Sequence, residues 1–198
     1  MKKEFNFKLI FRFFGILLLV EAVALLATSL VAVYYHENDF RWFVLSGGIA
    51  LAVGLLAIFS GRNASPLISR REGSLVVTFV WILFSVFGML PYLFSGSIPA
   101  VEDAFFETIS GFTTTGASIL NNIEELSYSI LFWRSLTHWM GGLGIIGMSL
   151  AVLPVFGSSG SQLFATESAA PTIDKIHSKV TEIAKRLLLI YEIGRAHV

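Results

Sequence analysis

The sequence lacks cysteine and has little charge of either sign. Without cysteine, neither a disulfide framework nor a thiolate metal site is possible. Charged residues make up 14% of the 198 positions and hydrophobic residues 55%, whereas about a quarter of the residues of a soluble globular domain are charged. No lysine or arginine lies between Glu72 and Trp133. This composition indicates a membrane protein, and we expect neither a nucleic-acid partner nor a cofactor.

Four apolar segments are long enough to span the hydrocarbon core of a bilayer, which takes roughly 20 helical residues. They cover residues 9–33, 42–60, 74–94 and 129–156. The first segment follows a basic start, as in a signal peptide, but it exceeds the roughly 7–15 apolar residues of a removable one. We therefore predict a retained helix, with a cleaved signal peptide as the alternative, in an all-α polytopic membrane protein.

Lysine and arginine are distributed unevenly among the loops. From the N-terminus onward, the successive non-spanning segments contain four, one, three, none and four basic residues. These residues are Lys2, Lys3, Lys8 and Arg12 in the first segment, Arg41 in the second, Arg62, Arg70 and Arg71 in the third, and Lys175, Lys179, Lys185 and Arg186 in the fifth. Cytoplasmic loops carry the excess of basic residues in membrane proteins. The alternation therefore predicts a cytoplasmic N-terminus and an external third loop.

The third loop contains a short helix-like run that ends in a glycine turn, Phe105–Ser118 (FFETISGFTTTGAS). A helix from Pro99 to about Ser110 would be roughly 18 Å long, which is too short to span the bilayer. Glu102 and Asp103 would lie in its first turn, where carboxylates suit the positive end of the helix dipole. Non-helical backbone at membrane depth occurs only where it is buried in protein or lines a water-filled path. The segment therefore predicts a re-entrant pore loop that enters from outside.

The glycine turn has the chemistry of a cation site. An extended strand there is expected to point backbone carbonyls at one axis, where they replace the water shell of a cation. Gly116 permits backbone angles that are closed to other residues. Carboxylates without basic neighbours would concentrate cations outside, and these are Glu102, Asp103, Glu107, Glu124 and Glu125. The alternative is an external loop whose threonines and glycines only make a turn.

A few polar residues and glycines interrupt the apolar segments. Glu21 is a functional candidate because a carboxyl inside a spanning helix is costly; the alternative is a protonated or hydrogen-bonded side chain facing a neighbouring helix. Arg134 either reaches the outer interface or holds the pore loop through a carboxylate such as Glu107. His138 is interpreted as a packing residue. Gly141, Gly142, Gly144 and Gly147 either let another backbone approach closely or mark a bend.

Three stretches carry a family resemblance: SGFTTTGAS, FWRSLTHWMGGLGIIGMSLAVLPVFG, and SQLFATESAAP followed by TEIAKRLLLIY. Over residues 74–191 the chain resembles the TrkH-type subunit of bacterial potassium uptake systems, within the Trk/Ktr/HKT superfamily. The extra N-terminal hairpin resembles the TrkH/TrkG branch. The resemblance implies a potassium-channel-like fold with four helix–pore-loop–helix repeats around one axis, in a bacterial inner membrane.

The resemblance also assigns roles to individual residues. It implies a selectivity filter formed by Thr114, Thr115, Gly116 and Ala117, with Thr113 just inside. Potassium, the transported ion, would be held by backbone carbonyls of Thr114, Thr115 and Gly116. Support of the pore is expected from a second set, namely Glu107, Arg134, Gly141, Gly142 and Gly144.

The resemblance further implies partners. Full-length family members form dimers and bind a cytoplasmic, nucleotide-binding TrkA-type regulatory subunit. The basic segment Lys175–Arg186 lies on the expected side of the membrane for that contact, although it is equally an ordinary cytoplasmic flank. Membrane lipid is the remaining expected partner.

The chain is expected to hold one pore repeat and the start of a second, where the family has four. The predicted divisions are an N-terminal transmembrane hairpin at 1–60, a cytoplasmic loop at 61–73, the first repeat at 74–156, a cytoplasmic linker at 157–178, the start of the second repeat at 179–191 and a non-native tail at 192–198. The tail, EIGRAHV, reads like a translated sequencing adapter, which predicts a truncated reading frame. We expect a non-enzymatic protein whose full-length form takes up potassium; the alternative is a non-conducting membrane scaffold with a pore-like packing loop.

Overall fold

The structure is a computed structural model that describes residues 6–62 and 70–145. Its helices are α1 (Phe7–Tyr34), α2 (Phe40–Ser60), α3 (Arg70–Gly88), α4 (Leu90–Ser95), α5 (Val101–Phe112) and α6, followed over residues 128–145, with a single 3-10 turn at Ile123–Glu125. No strand occurs within these described residues. The prediction of an all-α membrane protein is confirmed.

The chain divides into two compact units, Met1–Gly141 and Gly142–Val198. The first contains all the helices up to the middle of α6, and the second is described only over residues 142–145. The predicted linker at 157–178, the start of a second repeat at 179–191 and the tail at 192–198 lie outside the described residues. So do residues 146–156 of the first repeat, residues 63–69 of the second loop, and the basic segment Lys175–Arg186.

Three helical spans among the described residues are long and apolar enough to cross a membrane: Phe7–Tyr34, Phe40–Ser60 and Thr78–Ser95. The first two form the predicted hairpin, and small residues let them approach closely. A Cβ atom on Gly15 would lie 2.7 Å from Ile58 Cγ1, and one on Gly54 would lie 3.1 Å from the Gly15 carbonyl oxygen. Close approach at small residues is how helices associate in lipid, where no hydrophobic effect drives them together.

The third span is broken near its far end. Helix α3 ends at Gly88 and α4 begins at Leu90, with Pro91 in its first turn. Proline has no N–H to donate, so the helical hydrogen-bond ladder cannot pass through this point unbroken. Gly96 then ends α4 in the left-handed conformation, at φ 76°. The chain thereby turns back within a few residues toward α5.

A core of aromatic rings joins the hairpin to α5 and α6. Phe43 of α2, Tyr92 of α4, Phe112 of α5 and Trp133 of α6 are all fully buried. The Trp133 ring meets those of Phe43 and Phe112 edge to face, at centroid distances of 6.4 and 6.5 Å. Its Nε1 donates to the carbonyl of Gly88, 2.9 Å away, at the break of the third span. One side chain therefore ties three elements together beneath the loop that follows α5.

Candidate functional site: a buttressed loop after a short helix

Helix α5 is short, and each of its two ends has a feature that bears on the candidate site. It has twelve residues, which corresponds to about 18 Å. It begins two residues after Pro99, with Glu102 and Asp103 in its first turn, where their charge opposes the positive end of the helix dipole. Its C-terminal end at Phe112 leads directly into the glycine turn. The negative end of the dipole thus lies next to the candidate cation site.

The backbone after α5 differs from the extended strand that we expected. Thr114 has φ 55° and Gly116 has φ 75°, so two residues of the turn are left-handed. The N–H groups of Thr114 and Thr115 donate back to the carbonyls of Gly111 and Ser110, both at 3.0 Å. These paired bonds form a Schellman motif, in which the left-handed residue follows the helix C-cap. The left-handed conformation of Thr114 therefore ends α5, and the chain does not continue from it as a regular strand.

The carbonyl groups of the turn fall into two classes. The Ala117 carbonyl accepts a 2.6 Å hydrogen bond from Ser110 Oγ, which directs it at α5. In the described part of the chain, the carbonyls of Thr114, Thr115 and Gly116 accept no hydrogen bond, and all three residues are exposed. A Cβ atom at Gly116 would meet no atom within 4 Å. The three carbonyls predicted to hold potassium therefore have no hydrogen-bond partner among the described residues, whereas that of Ala117 has one.

Glu107 is the centre of the support beneath this turn. Its side chain is 1% exposed, and it accepts hydrogen bonds from Ser118 Oγ at 3.0 and 3.1 Å and from the Ile119 N–H at 3.1 Å. Arg134 Nε donates to Glu107 Oε1 at 2.7 Å. A buried carboxylate is stable only when it is paired and hydrogen-bonded. Here the partners are the loop on one side and α6 on the other, so the carboxylate joins the two.

Threonine hydroxyls complete the turn. Thr113 Oγ1 donates to the Ile109 carbonyl at 2.7 Å and lies 2.8 Å from Thr115 Oγ1. Thr113 is the C-cap of α5, and both its backbone N–H and its hydroxyl donate to the Ile109 carbonyl in the last turn of the helix. The first residues of the loop are thereby fixed to the last turn of the helix.

Glycines let α5 and α6 touch backbone to backbone. A Cβ atom on Gly141 would lie 2.7 Å from the carbonyl carbon of Phe112, and one on Gly111 would lie 3.2 Å from Cβ of Thr137. Separations this short leave no room for any side chain, so the close-approach interpretation applies to Gly141. Gly142 and Gly144 are helical residues of the second unit.

The other singled-out residues lie away from the turn. His138 Nδ1 is 2.8 Å from the Arg134 carbonyl oxygen, one helical turn back, in keeping with a packing role. Glu21 is fully buried, and neither of its carboxyl oxygens has a hydrogen-bond partner among the described residues. A Cβ atom on Gly88 would lie 3.1 Å from Glu21 Oε1. Glu21 therefore faces the neighbouring third span, as one of its two interpretations required, but without the hydrogen bond.

Sequence reasoning missed two serines at the site. Ser110 directs the Ala117 carbonyl, and Ser118 bridges Glu107 to the N–H of Leu120. Both are small hydroxyl residues in a loop already rich in threonine, so composition alone does not mark them. For Ser110 the sequence does carry a weak signal, because Ser110 follows Glu107 by three residues and lies on the same face of α5.

Comparison with known proteins places this arrangement in a family. A family model described as a cation transport protein, TrkH, matches residues 40–196. The Trk system potassium uptake protein TrkH of Escherichia coli K12 is 37% identical over 188 residues, which cover 94% of this chain and 39% of that protein. The Trk system potassium uptake protein TrkG of the same organism is 29% identical over 181 residues, covering 90% and 37%. The chain thus spans about two fifths of the length of the curated relatives it matches.

A solved structure agrees with the sequence relatives. The crystal structure of the potassium transporter TrkH from Vibrio parahaemolyticus matches with a TM-score of 0.77 at 35% identity, covering 94% of this chain and 37% of that chain. The chain belongs to the TrkH cation transport protein family.

Proposed function

We propose that the full-length protein takes up potassium across a bacterial inner membrane and that this chain supplies one wall of its selectivity filter. The observation that carries the proposal is the set of carbonyls of Thr114, Thr115 and Gly116. They belong to exposed residues and accept no hydrogen bond from the described residues, on a turn that α5 and α6 support. Carbonyl oxygens replace the water shell of a dehydrated cation. The relatives of similar sequence are named as potassium uptake proteins.

One turn provides carbonyls on only one side of an ion. A complete site needs further walls around the same axis, and we infer that equivalent loops elsewhere in the full-length protein provide them. The exposure of residues 114–117 supports this inference, because that face of the turn is not covered by the described residues of this chain. Thr113 would lie at the inner end of the row, where its carbonyl adjoins the end of α5.

The remaining assignments are part of the same proposal. The N-terminus would be cytoplasmic and the turn would enter from outside, as the distribution of lysine and arginine predicts. The full-length protein would form a dimer and bind a cytoplasmic, nucleotide-binding TrkA-type subunit. Potassium is the substrate of this scheme, and no step of it requires a cofactor.

The first test is potassium-dependent growth of a bacterium that lacks its own uptake systems. We expect the full-length gene to restore growth at low potassium, and the 198-residue chain alone not to restore it, because one wall does not enclose an ion. Failure of the full-length gene, in cells where the protein reaches the membrane, would favour the non-conducting scaffold. Rescue by the short chain would mean that several copies assemble one pore.

The second test addresses the turn itself. Gly116 is left-handed, a conformation that costs other L-residues roughly 1–2 kcal/mol, so Gly116→Ser in the full-length protein should weaken selectivity for potassium over sodium. Gly116→Asn is the matched variant, because asparagine adopts this conformation more readily than serine. An unchanged ratio of potassium to sodium uptake in Gly116→Ser would contradict the assignment of the filter.

A further inference from the structure

The end of α1 is shaped by a specific backbone motif. His36 lies in the left-handed region at φ 57°. The N–H of His36 donates to the Val33 carbonyl at 3.1 Å, and that of Glu37 donates to the Ala32 carbonyl at 2.9 Å. These paired bonds form a Schellman motif, which usually has glycine at the left-handed position. The motif fixes the direction in which the chain leaves α1, and therefore the position of Glu37.

Glu37 caps a helix that lies far away in the sequence. Its Oε1 accepts from the N–H of Tyr128 at 2.6 Å, and its Oε2 accepts from the N–H of Ser129 at 3.0 Å. These are the first two residues of α6, whose N–H groups have no partner within the helix. A carboxylate at this end also opposes the helix dipole. One side chain of the hairpin loop therefore holds the start of α6 by two charge-assisted hydrogen bonds.

Two neighbouring contacts reinforce the cap. Asp39 Oδ2 accepts from Ser127 Oγ at 2.6 Å. The rings of Tyr35 and Tyr128 stack with centroids 4.4 Å apart and planes inclined by 20°. We call this group of contacts the outer clamp. It consists of Glu37 with the N–H groups of residues 128 and 129, Asp39 with Ser127, and Tyr35 with Tyr128.

The outer clamp lies on the same helix as the support of the candidate filter. Arg134 follows Tyr128 by six residues, which corresponds to about 9 Å along α6. Arg134 holds Glu107, and Glu107 holds Ser118 and the N–H of Ile119. A shift or rotation of the start of α6 would carry Arg134 with it, because the backbone between the two is continuous helix.

We propose that Glu37 is a positioning residue of the ion site, acting through α6 and the Arg134–Glu107 pair to fix the loop that carries Thr114–Gly116. The proposal rests on the proposed function, since it presumes that this loop binds the ion. It also gives the N-terminal hairpin a role in the pore, although the hairpin contributes no residue to the turn. Glu37 makes no contact with the loop itself among the contacts of the described residues.

Two variants of the full-length protein test the outer clamp from its two sides. Glu37→Gln removes the charge and one acceptor. Tyr128→Pro removes the N–H that Glu37 binds, at the first helical position, where proline is tolerated. The matched controls are Asn38→Ala, which changes an exposed side chain next to Glu37 that makes no clamp contact, and Tyr128→Ala, which removes the ring but keeps the N–H. The measurements are the KM for potassium and the potassium-to-sodium uptake ratio, each per molecule in the membrane.

We expect both clamp variants to raise the KM or lower the ion ratio by roughly two- to thirtyfold, the range over which distant packed residues modulate a site. Asn38→Ala should behave as the unmodified protein, and Tyr128→Ala should change less than Tyr128→Pro. Values per molecule that stay unchanged would overturn the proposal, and so would a loss confined to the amount of protein in the membrane, because the clamp would then only support folding. Absence of uptake by the unmodified protein would instead overturn the proposed function.

Discussion

At the scale of single residues, the site depends on a carboxylate that binds no ion. Glu107 is buried and joins the loop to α6 through Ser118, Ile119 and Arg134. Glu107 lies away from the free carbonyls, so ion binding and support of the loop are assigned to different groups. Neutral carbonyls would meet the ion, while the charged group stabilises the loop that presents them.

Glu107→Gln should destabilise the protein and lower its ion selectivity together. The substitution keeps the shape of the side chain and an oxygen that can accept from Arg134, but it removes the negative charge, and hydrogen bonds to a charged group contribute about 1.5–3 kcal/mol each. We expect the unfolding temperature in detergent to fall and the potassium-to-sodium ratio to decrease. Glu124→Gln serves as the control, since Glu124 is exposed. A selective protein of normal stability would show that the ion pair does not hold the loop.

His36 permits a prediction in the opposite direction. It occupies the left-handed position of a Schellman motif, at a cost of roughly 1 kcal/mol that glycine would not incur. His36→Gly should therefore leave the unfolding temperature unchanged or raise it slightly, whereas a β-branched residue such as His36→Val should lower it. Equal behaviour of the two variants would mean that backbone conformation at this position does not limit stability.

At the scale of elements, the contact of α5 with α6 depends on the absence of side chains. Gly141→Ala would place a methyl group 2.7 Å from the Phe112 carbonyl carbon, and overpacking of this kind costs about 1–3 kcal/mol. We expect a lower unfolding temperature and a displaced loop. The matched control is Gly48→Ala on α2, where a Cβ atom would meet nothing within 4 Å and alanine should be tolerated. Tolerance of Gly141→Ala equal to that of Gly48→Ala would contradict the close contact.

Sequence analysis predicted the elements whose signals are local. The short helix, its acidic first turn and the glycine turn lie in one stretch of eighteen residues, 101–118, with their own start and stop signals. The Arg134–Glu107 pair could also be predicted, because the spanning segments contain few charged residues and therefore few possible ion pairs. The left-handed conformation of Thr114 was not predictable, since threonine has no preference for positive φ.

Contacts between distant segments were beyond the sequence for a different reason. Glu37 binds backbone N–H groups 91 and 92 residues away. Every residue except proline has a backbone N–H, so residue type does not indicate which ones Glu37 binds. The Schellman motif at His36 was also not predictable, because its left-handed position usually holds glycine and here holds histidine. Similarly, the bond from Ser110 to the Ala117 carbonyl depends on the fold of the turn between them.

At the scale of the whole molecule, surface composition separates lipid-facing from protein-facing sides. Helices α1 and α2 expose many large apolar side chains, among them Val23, Leu30, Leu56 and Phe59, which is the pattern of helices with a face in lipid. The loop at residues 114–117 is exposed too, yet it is polar. Polar backbone without partners is costly in lipid, so this face requires either protein or a water-filled path beside it.

The outer clamp also constrains the topology in the membrane without any reference to charge. Because Glu37 binds the first residues of α6, the loop between α1 and α2 and the loop before α6 lie on one side of the membrane. Helix α2 has 21 residues, about 31 Å of length, which carries Arg62 to the other side. Charge then selects which side is cytoplasmic, and the basic residues near Arg62 predict that it is this one.

Cysteine labelling can test the shared side and the orientation separately, because this chain contains no cysteine of its own. In a full-length protein cleared of any further cysteines, we expect Asn38→Cys and Asn121→Cys to react with a membrane-impermeant maleimide added outside intact cells. Arg62→Cys should react only after the membrane is opened. Reaction of Asn38→Cys and Asn121→Cys from opposite sides would contradict the fold itself. Reaction of both from the cytoplasmic side would leave the fold intact and reverse the orientation, so the loop at Thr114–Gly116 would then face an ion arriving from within the cell.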